Sequence, residues 1–338
     1  MLLFNLFIKY FIIYNLITLT IIPLFTHDLL IIWFIMEINN FMFICYMSME
    51  MNLKKNIFLF YMIQVLASLL LIFPLIINNF FFFNNQNILI FNFYLSLILK
   101  LGIPPFHMWM IYLSSYMPWK ILFIFLTFQK IIPFYMFSLI EINLQIFLFM
   151  ILLSSYIPIF KMINLLNFKI LLTYSSINQS SWMLLLIFFK NLFWLIYMFI
   201  YSIILMIISF YFNYFKFSFN FYIYFFNKMN FNFLSIFLMF NLASIPPLSF
   251  FLMKWFSIYI FMFNSKMFLI FILMMINSFI LIYIYLNLLS LMMFFFTMKI
   301  KFNLININNN DNKKKIIFKN MYLIMFFSFF SSLYFIIL

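Results

Sequence analysis

Four ionisable side chains stand inside long apolar runs of this chain: Glu37, Lys100, Lys130 and Lys254. Lys130 lies about ten residues from either end of its run, roughly 15 Å of helical rise and more than a lysine side chain spans. Glu37 is comparably central in its own run. An ionisable group at the middle of a bilayer costs at least about 2.5 kcal/mol, and groups kept at that cost mark proton or ion paths. The chemistry open to them is proton exchange. Burial disfavours a charged ammonium and a nearby carboxylate favours it, so a lysine held between the two influences can exchange its proton near neutral pH. The plainer alternative, a single Glu37–lysine salt bridge that fixes helix register, leaves two of the three lysines unexplained. Lys9, near the start of its run, reads as a snorkelling interface residue.

The elements that hold these groups are membrane helices. Of 338 residues, 69% are hydrophobic, 26% aromatic and only 7% charged, against roughly 25% charged in a soluble domain. That excludes a water-soluble globule and implies an all-α polytopic membrane protein with one transmembrane domain over residues 1–338. Apolar runs fall near 3–25, 29–48, 57–77, 88–115, 119–140, 143–160, 168–189, 192–215, 231–263, 267–298 and 321–338, about eleven spans at about 20 residues each. Runs 88–115, 231–263 and 267–298 exceed what a bilayer requires and imply tilt or a break. The Asn-rich stretches Asn84 to Asn87 and Asn306 to Asn312 read as loops.

What is scarce excludes whole function classes. All 19 basic residues are Lys, and Gly102, Val65 and Cys45 are each the only residue of their type. Residues with AT-rich codons have taken their places, which points to an AT-biased organellar genome. One glycine excludes a Rossmann or Walker phosphate loop. One cysteine excludes an internal disulfide and a four-thiolate iron–sulfur cluster. His27 and His107, about 80 residues apart without neighbouring ligands, argue against a metal site. The expectation is a chain that binds neither metal nor cofactor. A net charge of +14 would suit nucleic acid only if clustered on a solvated face; here the lysines are dispersed, so no nucleic-acid partner is expected. Without an Arg-rich amphipathic stretch or a small-residue cleavage site, the first run reads as a retained helix.

The lysines also predict topology, since loops on the cytoplasmic or matrix side carry the basic excess. Numbering loops by the helix they follow, even loops hold 13 lysines and odd loops hold two, Lys190 and Lys266. In a mitochondrial inner membrane this puts the N-terminus in the matrix and the C-terminus in the intermembrane space.

Two proline pairs, Pro104–Pro105 and Pro246–Pro247, interrupt apolar runs, each preceded by Ile. A pair of prolines removes two backbone donors and breaks a helix. Irregular backbone at membrane depth survives only inside protein or beside a water-filled cavity. Gly102, the sole glycine, adjoins the first pair. Lys100 precedes the first pair by four residues and Lys254 follows the second by seven. Corresponding breaks in two halves of a chain point to a repeated, broken-helix transporter, and the opposite polarity of the lysines is compatible with inverted repeats. Simple proline kinks are the alternative.

Four blocks in order, Lys100-Leu-Gly-Ile-Pro-Pro-Phe-His-Met-Trp109, Phe128-Gln-Lys130-Ile-Ile-Pro133, Tyr174-Ser-Ser-Ile-Asn-Gln-Ser-Ser-Trp182 and Ile245-Pro-Pro-Leu-Ser-Phe-Phe-Leu-Met-Lys254-Trp255, resemble the chain 2 family of mitochondrial NADH–ubiquinone oxidoreductase, respiratory complex I. With the base bias, the resemblance is to the insect type. It implies an antiporter-like, proton-translocating core subunit of the membrane arm with eleven helices and two inverted repeats. The family's functional residues fall on Glu37 as carboxylate partner, Lys100 on the first broken helix, Lys130 as linking lysine and Lys254 on the second broken helix. NADH, FMN, Fe–S clusters and ubiquinone are then handled by other subunits. Expected partners are the neighbouring antiporter-like chains and membrane phospholipid such as cardiolipin. Gln179 stands where the family commonly has His, so only an amide or water relay is open to it. Ile111-Tyr112 replaces the usual Pro-Glu, and Phe250 and Met253 replace a common Gly and Pro. His107 reads as a hydrogen-bonding residue or a proton relay.

Two rivals follow from the same residues: a purely structural membrane-arm subunit whose polar groups brace the broken helices, and a stand-alone cation/proton antiporter, which the lack of extra acidic residues disfavours. A quinone site has no singled-out polar partner. Cys45 reads as a small lipid- or core-facing residue. The run Lys313 to Lys315 reads as a solvated loop or an anionic-lipid contact.

Overall fold

The computed structural model describes residues 2–80, 86–140, 144–163, 165, 167–189, 192–214, 233–246, 248–262 and 268–303. These residues form helices and no strands. Helices α1 (Leu2–Ile21), α2 (Leu29–Glu50), α3 (Lys54–Phe80), α4 (Gln86–Leu101), α5 (Met108–Tyr116), α6 (Trp119–Leu126), α7 (Phe128–Leu139), α8 (Leu144–Met162), α9 (Phe168–Phe188) and α10 (Phe193–Tyr214) follow in order. They are succeeded by α11 (Phe233–Ala243), α12 (Ser249–Met262) and α13 (Phe268–Asn303). Seven helical segments among the described residues are long and apolar enough to cross a membrane, one of them, Trp119–Leu139, made of α6 and α7 together. Two shorter apolar helices, Leu89–Leu101 and Ser249–Ile260, are halves of broken spans. The run 321–338, the loop Asn306 to Asn312, Lys313 to Lys315 and Pro247 lie outside the described residues. Gln86 and Asn87, read as loop, open α4 instead.

The chain divides into two compact units, Met1–Ser154 and Ser155–Leu338. In the first, α2 packs against α1, α3 and α7, and α7 against α1, α2, α4 and α6, which places their polar residues inside the unit. Phe43, Phe60, Trp109 and Phe125 form an edge-to-face aromatic cluster that anchors α5 after the first break, with Trp109 and Phe125 centroids 5.8 Å apart. Such pairs add about 0.5–1.5 kcal/mol each beyond burial. Lys9 ion-pairs with Glu50 at the end of α2, both side chains partly exposed, in keeping with its interface reading.

One break is absent from the sequence reading. The run 119–140 divides at Thr127 (φ −112°, ψ −77°) into α6 and α7. The Thr127 hydroxyl donates to the Phe123 carbonyl at 2.8 Å, a back-bond that bends helices. Six residues on, Pro133 has no N–H for the carbonyl of Gln129, so the turn carrying Lys130 lies between the Thr127 interruption and a carbonyl without its helical donor.

In the second unit α9 is buried along nearly its whole length and packs against α10 and α12. Its low hydropathy is compatible with that position because its hydroxyls bond its own backbone, as Ser175 to Leu172 (2.9 Å) and Ser176 to Thr173 (2.7 Å). Asn167 caps it, its side-chain oxygen accepting from the Lys169 amide at 3.1 Å.

Candidate functional site

The first broken helix ends in a Schellman turn. The Gly102 amide donates to the Leu99 carbonyl (3.2 Å) and the Ile103 amide to the Ile98 carbonyl (3.2 Å), with Gly102 at φ +62°, the left-handed cap that glycine supplies without strain. A Cβ at Gly102 would stand 3.1 Å from the Met110 side chain, so the sole glycine meets two demands at once. Pro104 and Pro105 leave the carbonyls of Lys100 and Leu101 without their usual helical donors. His107, the N-cap of α5, is buried and its Nδ1 lies 3.3 Å from the Pro105 carbonyl oxygen, a contact within the segment that joins α4 to α5.

Lys100 occupies the last turn of α4. Its Nζ donates to Glu37 Oε1 of α2 at 2.6 Å, with the two side chains 2% and 17% exposed. Asn40, one turn along α2, donates to the same carboxylate oxygen at 3.5 Å. Beside this pair lies a small cavity lined by Asn40, Gln64, Lys100, Trp109, Gln129 and Lys130, with room for about one water molecule. Three of the four deep residues, on α2, α4 and α7, are thus gathered in the first unit: an ion pair, and a second buried lysine on the cavity that Lys100 lines. The amides of Asn40, Gln64 and Gln129 both donate and accept, which suits them to orient water between ionisable groups rather than to take up a proton.

Lys254 is in the second unit, on α12. Its Nζ donates to the Ser244 hydroxyl at 2.6 Å and lies 5.6 Å from the centroid of the Trp182 ring of α9, within cation–π range. Ser249, the first residue of α12, donates to Asn241 Oδ1 in the last turn of α11 at 3.0 Å, so a buried hydrogen bond ties the two half-helices across the break. Phe250 and Met253 are both buried, and Phe250 stacks on Tyr197 with centroids 6.3 Å apart. The bulk of Phe250 is taken up by packing against Tyr197 and Tyr201 of α10. Gln179 on α9 is buried and its Oε1 accepts from the Tyr197 hydroxyl.

Sequence reading missed Ser244, Asn241, Ser249 and Tyr197. Ser244 was within reach, because Ser-Ile-Pro-Pro at 244–247 repeats Gly-Ile-Pro-Pro at 102–105. Tyr197 carried no signal, its pairing with Gln179 being a contact between helices. Among the described residues, no group of three or more His, Cys, Asp or Glu is arranged to hold a metal ion.

No family model matches the sequence. The chain is 31% identical over 255 residues to NADH-ubiquinone oxidoreductase chain 2 of Anopheles gambiae, covering 71% of this chain and 72% of that one. It is 28% identical over 243 residues to the protein of the same name from Artemia franciscana, covering 69% and 74%. Among solved structures, a chain of respiratory complex I from Thermus thermophilus superposes with a TM-score of 0.60 at 16% identity, covering 77% of this chain and 65% of that chain. A chain of the Mrp complex from Dietzia sp. DQ12-45-1b gives 0.58 at 14% identity, covering 69% and 49%. This chain therefore spans less than two thirds of either solved chain, and at these identities the likeness is one of fold.

Proposed function

The chain belongs to the NADH-ubiquinone oxidoreductase chain 2 family, and from that premise we propose that it is an antiporter-like core subunit of the membrane arm of mitochondrial complex I that moves protons and performs no redox chemistry itself. The observation that carries this reading is the Glu37–Lys100 pair at 2.6 Å, whose lysine is buried on a cavity that Lys130 also lines. With Glu37 ionised, Lys100 keeps its proton. When Glu37 is neutralised or withdrawn, the ammonium loses its counter-charge in a medium that solvates it poorly, and the proton passes through water toward Lys130. Lys254 serves as the corresponding proton carrier of the second unit. Electron transfer from NADH to ubiquinone, with its flavin and iron–sulfur groups, belongs to other subunits and supplies the energy.

The same reading puts the chain in the mitochondrial inner membrane, with its N-terminus toward the matrix and its C-terminus toward the intermembrane space, the side assignment resting on the lysine asymmetry. Its partners are the other membrane-arm subunits, chiefly neighbouring antiporter-like chains, and anionic phospholipid.

Replacing Lys100 or Lys254 with Met in the assembled complex of a genetically tractable homologue tests the reading. Protons translocated per NADH oxidised are expected to fall while the complex assembles. An unchanged ratio for either variant would remove that lysine from the path.

A further inference from the structure

We infer that Ser244 is the positioning residue of Lys254, a hydroxyl placed at the second helix break to hold the lysine amine in both of its protonation states. The inference rests on the proton-carrying reading of Lys254 given above. The two breaks have the same local backbone. The Ser244 amide donates to the Asn241 carbonyl (2.9 Å) and the Ile245 amide to the Phe240 carbonyl (3.3 Å), and Leu248 returns to Ile245 (2.9 Å). The first break repeats this pattern residue for residue, with Phe106 returning to Ile103 at 3.0 Å. Ser244 is therefore the counterpart of Gly102, and its φ is +57°.

A side chain in the left-handed region meets a steric cost that glycine avoids. Ser244 is the only non-glycine residue at positive φ among the described residues, and strain at one position points to a use for the side chain that causes it. That use is visible in its bonds. The Ser244 hydroxyl accepts from Lys254 Nζ at 2.6 Å and donates to the Ala243 carbonyl at 2.6 Å. The helical donor for that carbonyl would be the N–H of residue 247, which is a proline and has none. One hydroxyl thus satisfies a carbonyl released by the break and fastens the deep lysine to it. It also brings the ammonium, carried on α12, to the C-terminal end of α11, where the helix dipole favours positive charge.

The chemistry differs from that at Lys100. A carboxylate only accepts, so Glu37 serves Lys100 best while the lysine is charged. A hydroxyl both donates and accepts. Facing an ammonium, Ser244 accepts from Nζ and donates to Ala243. Facing a neutral amine, the same O–H can turn to donate to the Nζ lone pair, so the nitrogen keeps its place as its proton leaves and returns. With its face toward Trp182 and no carboxylate in salt-bridge range among the described residues, Lys254 depends on this contact.

Ser244→Gly and Ser244→Asn, made in the assembled complex of a tractable homologue carrying the same Ser-Ile-Pro-Pro segment, test the inference. Glycine keeps the backbone turn and deletes the hydroxyl. Asparagine tolerates the left-handed region and supplies both a donor and an acceptor. The expected result is a fall of about tenfold in proton translocation for the glycine variant, the factor that about 1.4 kcal/mol represents, with a displaced pH profile and substantial recovery in the asparagine variant. Glycine equal to wild type in rate and pH profile overturns the inference, as does an equal loss in both variants or failure of both to assemble. Lys254→Met run in parallel separates the two readings. Normal pumping by that variant refutes the role of Lys254 itself, whereas lost pumping there beside a normal glycine variant refutes only Ser244.

Discussion

Glu37→Gln keeps the shape and one acceptor oxygen of the side chain and removes only its charge. In the structure that charge lies 2.6 Å from Lys100 Nζ. At an effective dielectric constant of about 20 the bare attraction is about 6 kcal/mol. Two things reduce it: Glu37 is 17% exposed, so water screens part of the field, and the glutamine oxygen still accepts a hydrogen bond worth about 1 kcal/mol. What remains is about 2–3 kcal/mol of lost hold on the Lys100 proton, about 30- to 150-fold in the ratio of charged to neutral lysine. The assay is proton uptake by proteoliposomes containing the assembled complex, per NADH oxidised, over a series of pH values. The expected outcome is a several-fold drop in translocation in the variant, a pH profile displaced from wild type, and normal amounts of complex. If assembly, stoichiometry and pH profile all stayed at wild-type values, Glu37 would be a packing residue and the switching role of its pair with Lys100 would be refuted.

Other outcomes are sharper structurally. Gly102→Ala places a Cβ 3.1 Å from Met110 at φ +62°; a loss of more than about 1–2 kcal/mol is expected, read as a shorter half-life of the complex in detergent. Because Ser244 tolerates nearly the same φ, a mild effect at Gly102 would show that the Met110 contact yields easily. Lys9→Met removes a partly exposed ion pair with Glu50 and is expected to cost under about 1 kcal/mol and leave proton stoichiometry unchanged; lost pumping would make Lys9 part of the path.

Much of the site was legible because cost and scarcity made it so. A charge in mid-run, a doubled proline and a lone glycine each oppose what an apolar helix prefers, and Glu37, Lys100, Lys130 and both breaks stood out for that reason. Interhelical pairings did not. Lys254 follows its proline pair by seven residues, yet its amine returns to Ser244 ahead of the pair, because a long side chain can cross back over a broken turn. The interruption at Thr127 is as hidden, since a threonine back-bond to Phe123 depends on local geometry that an apolar sequence does not encode. Helix α9, read from the sequence as the run 168–189, forms Phe168–Phe188. Its serines depress hydropathy, yet by bonding to their own backbone they present little unmet polarity to their surroundings.

That self-sufficiency bears on how the chain is inserted. A span whose hydroxyls are already satisfied within itself can leave the translocation machinery for lipid one helix at a time, without waiting for partners to quench its polar groups. Gln179 is an exception on α9, and its amide oxygen is met by Tyr197 of α10, the very next helix to be synthesised. The pair can therefore form as soon as that hairpin closes.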